Sequence, residues 1–323
     1  MSVKEEVVTL FEKNRGSVLS GEEIAERLGV SRTAVWKAIR SLQQEGYQIT
    51  GVSGKGYCLS RTTDVMSASG ILNYLDAPTR EWAKIEIYDW VDSTNEVLKR
   101  KAAEGPAEGL VAAAMSQTKG KGRFSRGFYS PEGAGVYFSI YLKPAFSLEY
   151  TGLITTAAAV AACRAIDALS GKETRIKWVN DVYLEDRKVV GILTEASFNA
   201  ESAELEYAVL GIGIDLYQPA GGLPPEAGQA GWIFDSDQED MRNRMIAEVL
   251  NRFRPIYENL ESRSFIDEYR RRCFVPGREV MVIRGGEQTP AQALEVDDFC
   301  RLKVRYRDGR EEVLNSGEVS LKV

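Results

Sequence analysis

The chain has 323 residues, 44% hydrophobic and 27% charged, so it reads as a folded globular protein with room for two or three domains at ~100–200 residues each. Its net charge of −6 excludes a protein coated in nucleic acid but not a local basic surface. The absence of histidine excludes Ser–His–Asp and Cys–His nucleophile pairs, histidine metal sites and imidazole acid–base chemistry.

The residues after Met1 contain no apolar signal-peptide core, so a cytoplasmic protein without membrane association is expected. Four scattered cysteines, Cys58, Cys163, Cys273 and Cys300, suit a reducing compartment and small buried hydrophobes better than disulfides or zinc. Ser20 with Glu23 is the spacing of a helix capping box. Ile24, Leu28, Val35, Ile39 and Leu42 then recur at helical spacing, broken by Leu28-Gly29-Val30-Ser31. Gly29 supplies a left-handed turn and Ser31 a second cap, which is helix-turn-helix chemistry. The second helix carries Arg32, Lys37 and Arg40, with no acidic residue from Leu28 to Gln44. Such a helix suits a DNA major groove, with Ser31, Arg32, Thr33 and Trp36 near the end that reaches bases. Strands at 47–50 and 56–59 flank a tip carrying Lys55, which completes a winged helix. A solvated basic helix in a protein-interaction module is the alternative. One such domain offers few phosphate contacts, so a dimer on a two-part site is expected.

Polar Ser60–Asp64 marks a boundary, and four clusters follow. Asp92-Ser93-Thr94-Asn95 ends a strand at 85–88 and opens a helix, which suits either an N-cap or recognition of a small polar ring. Gln117 to Gly127 joins glycines to Lys119, Lys121, Arg123 and Arg126 and matches neither a P-loop nor a dinucleotide fingerprint. Glycines free backbone N–H groups to face an anion, so a flap ordering on a negatively charged ligand is expected rather than a solvated linker. Leu153 to Leu169 is too interrupted to span a bilayer and reads as a buried Ala-rich helix. Lys177 to Leu193 reads as strand, turn at 185–187, strand; Asn180 and Asp181 offer hard oxygens to magnesium, and Lys188 is placed for a carboxylate, though an Asp–Lys pair is also an ordinary salt bridge. Gly211 and Gly213 alternate in an apolar strand, leaving one face bare for a flat ring or for close packing. A helix is expected over 239–260, bent at Pro255, with Ile246, Val249, Leu250 and Phe253 on its apolar face. After Val275-Pro276-Gly277, strands at 279–283, 291–296, 302–306 and 311–314, with turns at Gly285-Gly286 and Asp308-Gly309, read as a small SH3-like β-barrel.

Together these segments resemble the bifunctional biotin–protein ligase and biotin operon repressor family (BirA type) over nearly the whole chain. The resemblance rests on the helix-turn-helix, Asp92–Asn95, Gly120–Arg126, Lys177-Trp178-x-Asn180-Asp181, Asp186-Arg187-Lys188 and Gly211–Ile214. It implies an α+β multidomain chain: a winged helix-turn-helix at 1–62, a catalytic domain at 65–272 related to class II aminoacyl-tRNA synthetases (a mixed sheet with helices), and an SH3-like domain at 275–323. It further implies that biotin and ATP, with Mg2+, give biotinyl-5′-adenylate. Biotin then passes to a lysine of a biotin carboxyl carrier domain, and adenylate-bound homodimers repress at operator DNA.

By the same resemblance Ser93, Thr94, Asn95 and Gln117 hold biotin's ring; Lys121, Gly122 and Arg123 wrap the adenylate; Lys188 contacts carboxyl and phosphate oxygens. Arg126 and Lys177 face nucleotide phosphates, Asn180 and Asp181 lie near magnesium, and Phe128 stands where a tryptophan often stacks on adenine. Val179 replaces a usual proline and Asp215 a common asparagine. Two anions must meet in the first step, with a repulsion of about 4 kcal/mol at ~4 Å and an effective dielectric near 20. Arg123, Arg126, Lys177 and Lys188 can offset it; Asp181 is the candidate base for the attacking lysine. A lipoate–protein ligase, or a ligand-sensing repressor without ligase activity, are the rival readings.

Overall fold

The computed structural model describes residues 2–198, 205–284, 287–315 and 318–321. Its first element is one that the reading above omits. Ser2 accepts from Glu5 N, and the Glu5 carboxylate accepts from Ser2 N, so a full capping box starts α1 (Val3–Lys13). At Ser20 only half of the expected box forms: Ser20 accepts from Glu23 N, while the Glu23 carboxylate pairs with Arg27 at 2.6 Å. That bond starts α2 (Gly21–Leu28), which stops at Gly29 with φ +65°, and Ser31 caps α3 (Arg32–Gln44). A sheet of β1 (Val18–Leu19), β2 (Ile49–Val52) and β3 (Gly56–Leu59), in the order β1-β3-β2, completes the winged helix. It has a buried core of its own, centred on Val7, Phe11, Ile24, Val35, Ile39, Leu42 and Leu59.

Two short helices, α4 (Ala68–Tyr74) and α5 (Ala77–Trp82), lead into the central sheet. Its strands are β4 (Lys84–Val91), β5 (Leu110–Gln117), β6 (Gly135–Leu142), β7 (Thr174–Lys177), β8 (Asp181–Leu184), β9 (Arg187–Phe198) and β10 (Leu205–Asp215). Their order among the described residues is β4-β5-β6-β10-β9-β8-β7, with only β4–β5 parallel. α6 (Thr94–Ala102) covers one face; α7 (Leu153–Ser170) and α8 (Met241–Glu258) cover the other, with α9 (Ile266–Arg272) against α7. The two-residue period of a strand sorts side chains between these layers. In β10, Ala208, Leu210, Ile212 and Ile214 enter the α7–α8 core, and Gly211, Gly213 and Asp215 fall on the opposite face.

α7 is the buried Ala-rich helix expected; Leu148–Ser170 is apolar enough to cross a membrane by composition, but 67% of its most apolar 18-residue window lies inside the protein. The expected single strand ahead of the turn at 185–187 is two strands. Trp178, Val179 and Asn180 form the bend between antiparallel β7 and β8, pairing Lys177 with Asp181, and the Trp178–Val179 peptide is cis. All four cysteines are free thiols, and Cys163, Cys273 and Cys300 are buried.

The C-terminal strands are β11 (Glu279–Arg284), β12 (Glu287–Val296), β13 (Leu302–Tyr306), β14 (Glu311–Leu314) and β15 (Glu318–Leu321). They correct the expected barrel. Their order is β14-β13-β12-β11-β15, an open sheet, because the four-residue edge strands β14 and β15 do not pair among the described residues. The turn expected at Gly285-Gly286 lies outside the described residues; Gly309 turns as expected, with φ +86°.

The winged helix meets the central unit through charged groups buried at the start of α8. Arg15 bonds Glu12 at 2.6 and 3.0 Å, Asp240 at 2.7 Å and the Thr63 carbonyl at 2.8 Å. Asp240 also accepts from Tyr74 (2.8 Å) and Asn243 (2.7 Å), and burial raises its pKa to about 7 despite Arg15. Two residues on, Arg242 binds the Asp64 carboxylate at 2.7 Å and the Gly133 carbonyl at 2.6 Å, beside the Tyr217 ring.

Candidate active site

Strand register assembles the site on the α6 face. Gly211 lies opposite Ser139 of β6 and Leu193 of β9, and Gly213 lies opposite Tyr137 and Gly191. The α6 N-terminus supplies the polar groups. Ser93 stands at the N-cap position but makes no capping bond, so the N-cap reading does not account for its hydroxyl. Thr94 donates N–H to Gln117 Oε1 (2.9 Å), and Gln117 Nε2 donates to Ser130 (2.9 Å). Ser139 Oγ lies 2.7 Å from Thr94 Oγ1 and 2.6 Å from Asn95 Oδ1, and Asn95 Nδ2 donates to Glu195 at 2.8 Å. Ser93, Thr94, Asn95, Gln117, Lys121, Gly211 and Gly213 thus line one small cavity. Asp92 faces away: the Arg100 guanidinium bonds it at 2.7 and 3.0 Å and lowers its pKa to about 2.

A second, larger cavity of about 330 Å³ collects the cationic groups. Gly122, Arg123, Arg126, Phe128, Lys177, Asn180, Asp181 and Lys188 all line it. Lys188 Nζ is 2.7 Å from Asp181 Oδ1, and Arg123 donates to Asn180 Oδ1 at 3.2 Å. Lys121 pairs instead with Glu96 at 2.5 Å, which lowers the Glu96 pKa. Asp215 continues the Gly211–Gly213 row into this cavity; burial raises its pKa to about 8, with Lys188 opposing. The glycine-rich basic loop holds itself through Gly122 N–H to the Arg126 carbonyl and Phe128 N–H to the Gly120 carbonyl, both 2.8 Å.

Sequence reasoning missed several groups around the two cavities. Ser130, Ser139 and Glu195 support the small cavity from three different strands or loops. Residues Pro219, Leu223 and 227–231 wall the larger one, pinned by Lys188 N–H to the Gln229 carbonyl and Gly231 N–H to the Lys188 carbonyl. The proline- and glycine-rich run at 219–231 was the available signal.

In the winged helix α3 exposes Arg32, Thr33, Trp36, Lys37 and Arg40 and buries Val35, Ala38, Ile39 and Leu42. The Arg40 guanidinium lies 5.5 Å from the Trp36 ring centre. Ser31 spends its hydroxyl on the cap, accepting from Ala34 N–H at 3.1 Å, and Lys55 is exposed at the β2–β3 tip.

Three family models match: "Biotin/lipoate A/B protein ligase family" at residues 88–215, "HTH domain" at 3–58 and "Biotin protein ligase C terminal domain" at 276–322. The chain is 37% identical over 226 residues to the bifunctional ligase/repressor BirA of Bacillus subtilis, covering 70% of this chain and 68% of that one. It is 28% identical over 316 residues to the Escherichia coli bifunctional ligase/repressor BirA, covering 95% and 94%. Among solved structures, the Aquifex aeolicus biotin protein ligase in complex with biotin and ATP aligns with a TM-score of 0.59 at 25% identity, covering 74% of this chain and 98% of that one. In its sequence, its DNA-reading module and its catalytic fold, the chain belongs to the family of bifunctional biotin–protein ligases and repressors.

Proposed function

We propose that the chain joins biotin to ATP as biotinyl-5′-adenylate, transfers biotin to a lysine of a biotin carboxyl carrier domain, and represses transcription of biotin genes through its winged helix. One observation carries the ligase reading: a cavity lined by polar side chains and a cavity lined by cationic ones occupy one glycine-floored face of one sheet. A ligand with a ureido ring at one end and a carboxylate at the other spans that face. Ser93, Thr94, Asn95 and Gln117 bind the ring, and Lys188 receives the carboxylate. Lys188, Arg126, Lys177 and Arg123 lower the repulsion between that carboxylate and the α-phosphate and stabilise charge as pyrophosphate leaves. Asn180 and Asp181 put two hard oxygens on the wall of the phosphate cavity, which fits magnesium, an ion that takes one or two carboxylates and fills its shell with phosphates. When bound, that ion would neutralise phosphate charge.

In the transfer step Asp181, held by Lys188, accepts the proton of the acceptor amine. The Gly120–Gly127 flap excludes water until the acceptor docks. The separate core of the winged helix supports residues 1–62 as a DNA-binding domain; Arg32, Thr33 and Trp36 approach bases, and Lys37, Arg40 and Lys55 bind phosphates, with Ser31 fixing the helix end. The mixed sheet supports a class II aminoacyl-tRNA-synthetase-like catalytic domain at 65–272, followed by a third domain at 275–323. We place the protein in the cytoplasm, dimerising when adenylate is bound, as needed to reach two half-sites.

Pyrophosphate exchange measured with biotin and with lipoate tests the reading. Exchange with biotin alone is expected. Exchange only with lipoate would identify the lipoate reading, and none with either would leave a sensing repressor.

A further inference from the structure

Phe128 stands between the two cavities. The smaller cavity has only about 30 Å³ of space, far below the ~300 Å³ or more of a drug-sized ligand site. Of the residues lining it, only Phe128 also lines the larger cavity. Two glycines bring its ring down to the sheet. A methyl on Gly213 would lie 2.4 Å from Phe128 Cε1, and one on Gly191 would lie 2.7 Å from Cε2, both closer than real side chains come. These glycines face each other across β9 and β10, so no side chain separates ring from backbone. Tyr137 meets the ring edge-on at 6.3 Å and Lys188 Nζ lies 6.0 Å from its centre. The residue is carried by the basic flap, through its N–H to the Gly120 carbonyl.

Biotin's carboxylate and ureido ring are at opposite ends of the molecule. On the reading above, which this inference rests on, the ring belongs with Ser93–Asn95 and the carboxylate with Lys188. The acyl arm between them must cross the ground that Phe128 covers. We infer that Phe128 is a movable partition between the two substrate cavities, and that Gly191 and Gly213 are positioning residues that form its seat. Binding lifts the ring off the glycines, the acyl arm takes that place, and the ring then covers the arm with its outer face turned to the nucleotide cavity. A side chain at Gly191 or Gly213 would keep the ring from seating and crowd the arm as well. Gly191 therefore has a reason to be glycine that no sequence motif supplied.

The partition is separable from adenine stacking because it acts on biotin without nucleotide. A competent fraction of about one tenth lowers apparent biotin association about tenfold. Stopped-flow association of biotin with the full-length protein, ATP omitted, compares the parent with Phe128→Ala and Phe128→Leu. Association should rise about tenfold in Phe128→Ala and by less in Phe128→Leu, while the KM for biotin in pyrophosphate exchange falls by less, because the ring's cover over the bound arm is lost too. Thermal melting of both variants checks that they fold. Biotin association within twofold of the parent, or slower, in both variants would overturn the partition, and a change confined to the KM for ATP would leave Phe128 as an adenine platform only. No biotin binding by the parent would remove the ligase reading and the partition with it.

Discussion

Gly211→Ala adds one methyl at the most crowded point of the ring-binding cavity. The new Cβ would lie 2.3 Å from Asn95 Oδ1, whereas real Cβ contacts do not fall below 3.0 Å, so the Asn95 amide must retreat by at least 0.7 Å. Its oxygen is 2.6 Å from Ser139 Oγ and its nitrogen 2.8 Å from Glu195 Oε2, so the retreat disturbs both bonds. Displaced from Ser139 and Glu195, the amide no longer meets the ring, and one lost hydrogen bond to the ligand costs about 1–1.5 kcal/mol. That corresponds to a roughly five- to tenfold rise in the KM for biotin. Pyrophosphate exchange at varied biotin and fixed ATP measures it, and the KM for ATP serves as the internal control, expected to hold within twofold. An unchanged biotin KM, or equal rises in both constants, would refute the placement of the ring beside Asn95.

Other changes probe the cationic end and the folded state. Lys188→Ala should abolish adenylate formation, and with it adenylate-driven pairing on the operator, while the winged helix keeps its fold; normal pyrophosphate exchange would exclude the role. Arg123→Gly, which removes the bond to Asn180, should still make adenylate but release it, labelling bystander lysines; retained intermediate and parental specificity would contradict the lid. Asp215 has a folded pKa of about 8 against 3.8 unfolded, so the folded state holds its proton through the intervening range and stability falls as pH rises from about 4 to 8. Asp215→Asn should flatten that slope and be the more stable form at pH near 8, and parallel melting-temperature profiles would refute the assignment. Arg15→Met leaves Asp240 and Glu12 buried without their cation and should cost about 3–5 kcal/mol in calorimetric stability; a loss under about 1 kcal/mol would show that the pair is not buried in solution.

Local chemistry made much of this readable from the sequence. Alternating glycines predict a bare strip on a strand, and the register puts Gly211 and Gly213 on the cavity face, although Phe128 and Asn95 lie over them. Gly29 and Ser31 end and start helices as their backbone preferences require. The bend at Trp178–Asn180 was hidden because an apolar run looks alike in one strand or two. Ser139 and Glu195 were invisible for a different reason. Each looks ordinary in its own strand, and only the pairing of β6, β10 and β9 brings them to Asn95. The open C-terminal sheet shows the same limit, since strand content does not state whether the last strand returns to meet the fourth.

The start of α8 has a bearing on how this protein can be subdivided. Asp240 is fully enclosed, and its nearest cation, Arg15, comes from the DNA-reading segment. A chain shortened to begin after residue 63 would lose Arg15 and leave that carboxylate to Tyr74 and Asn243 alone, exposed to solvent or proton-bound. Arg242, two positions along, holds Asp64, the Gly133 carbonyl and the Tyr217 ring of the larger cavity, so a disturbed start of α8 adjoins that cavity. A ligase stripped of its repressor half would therefore need a replacement cation at that helix end.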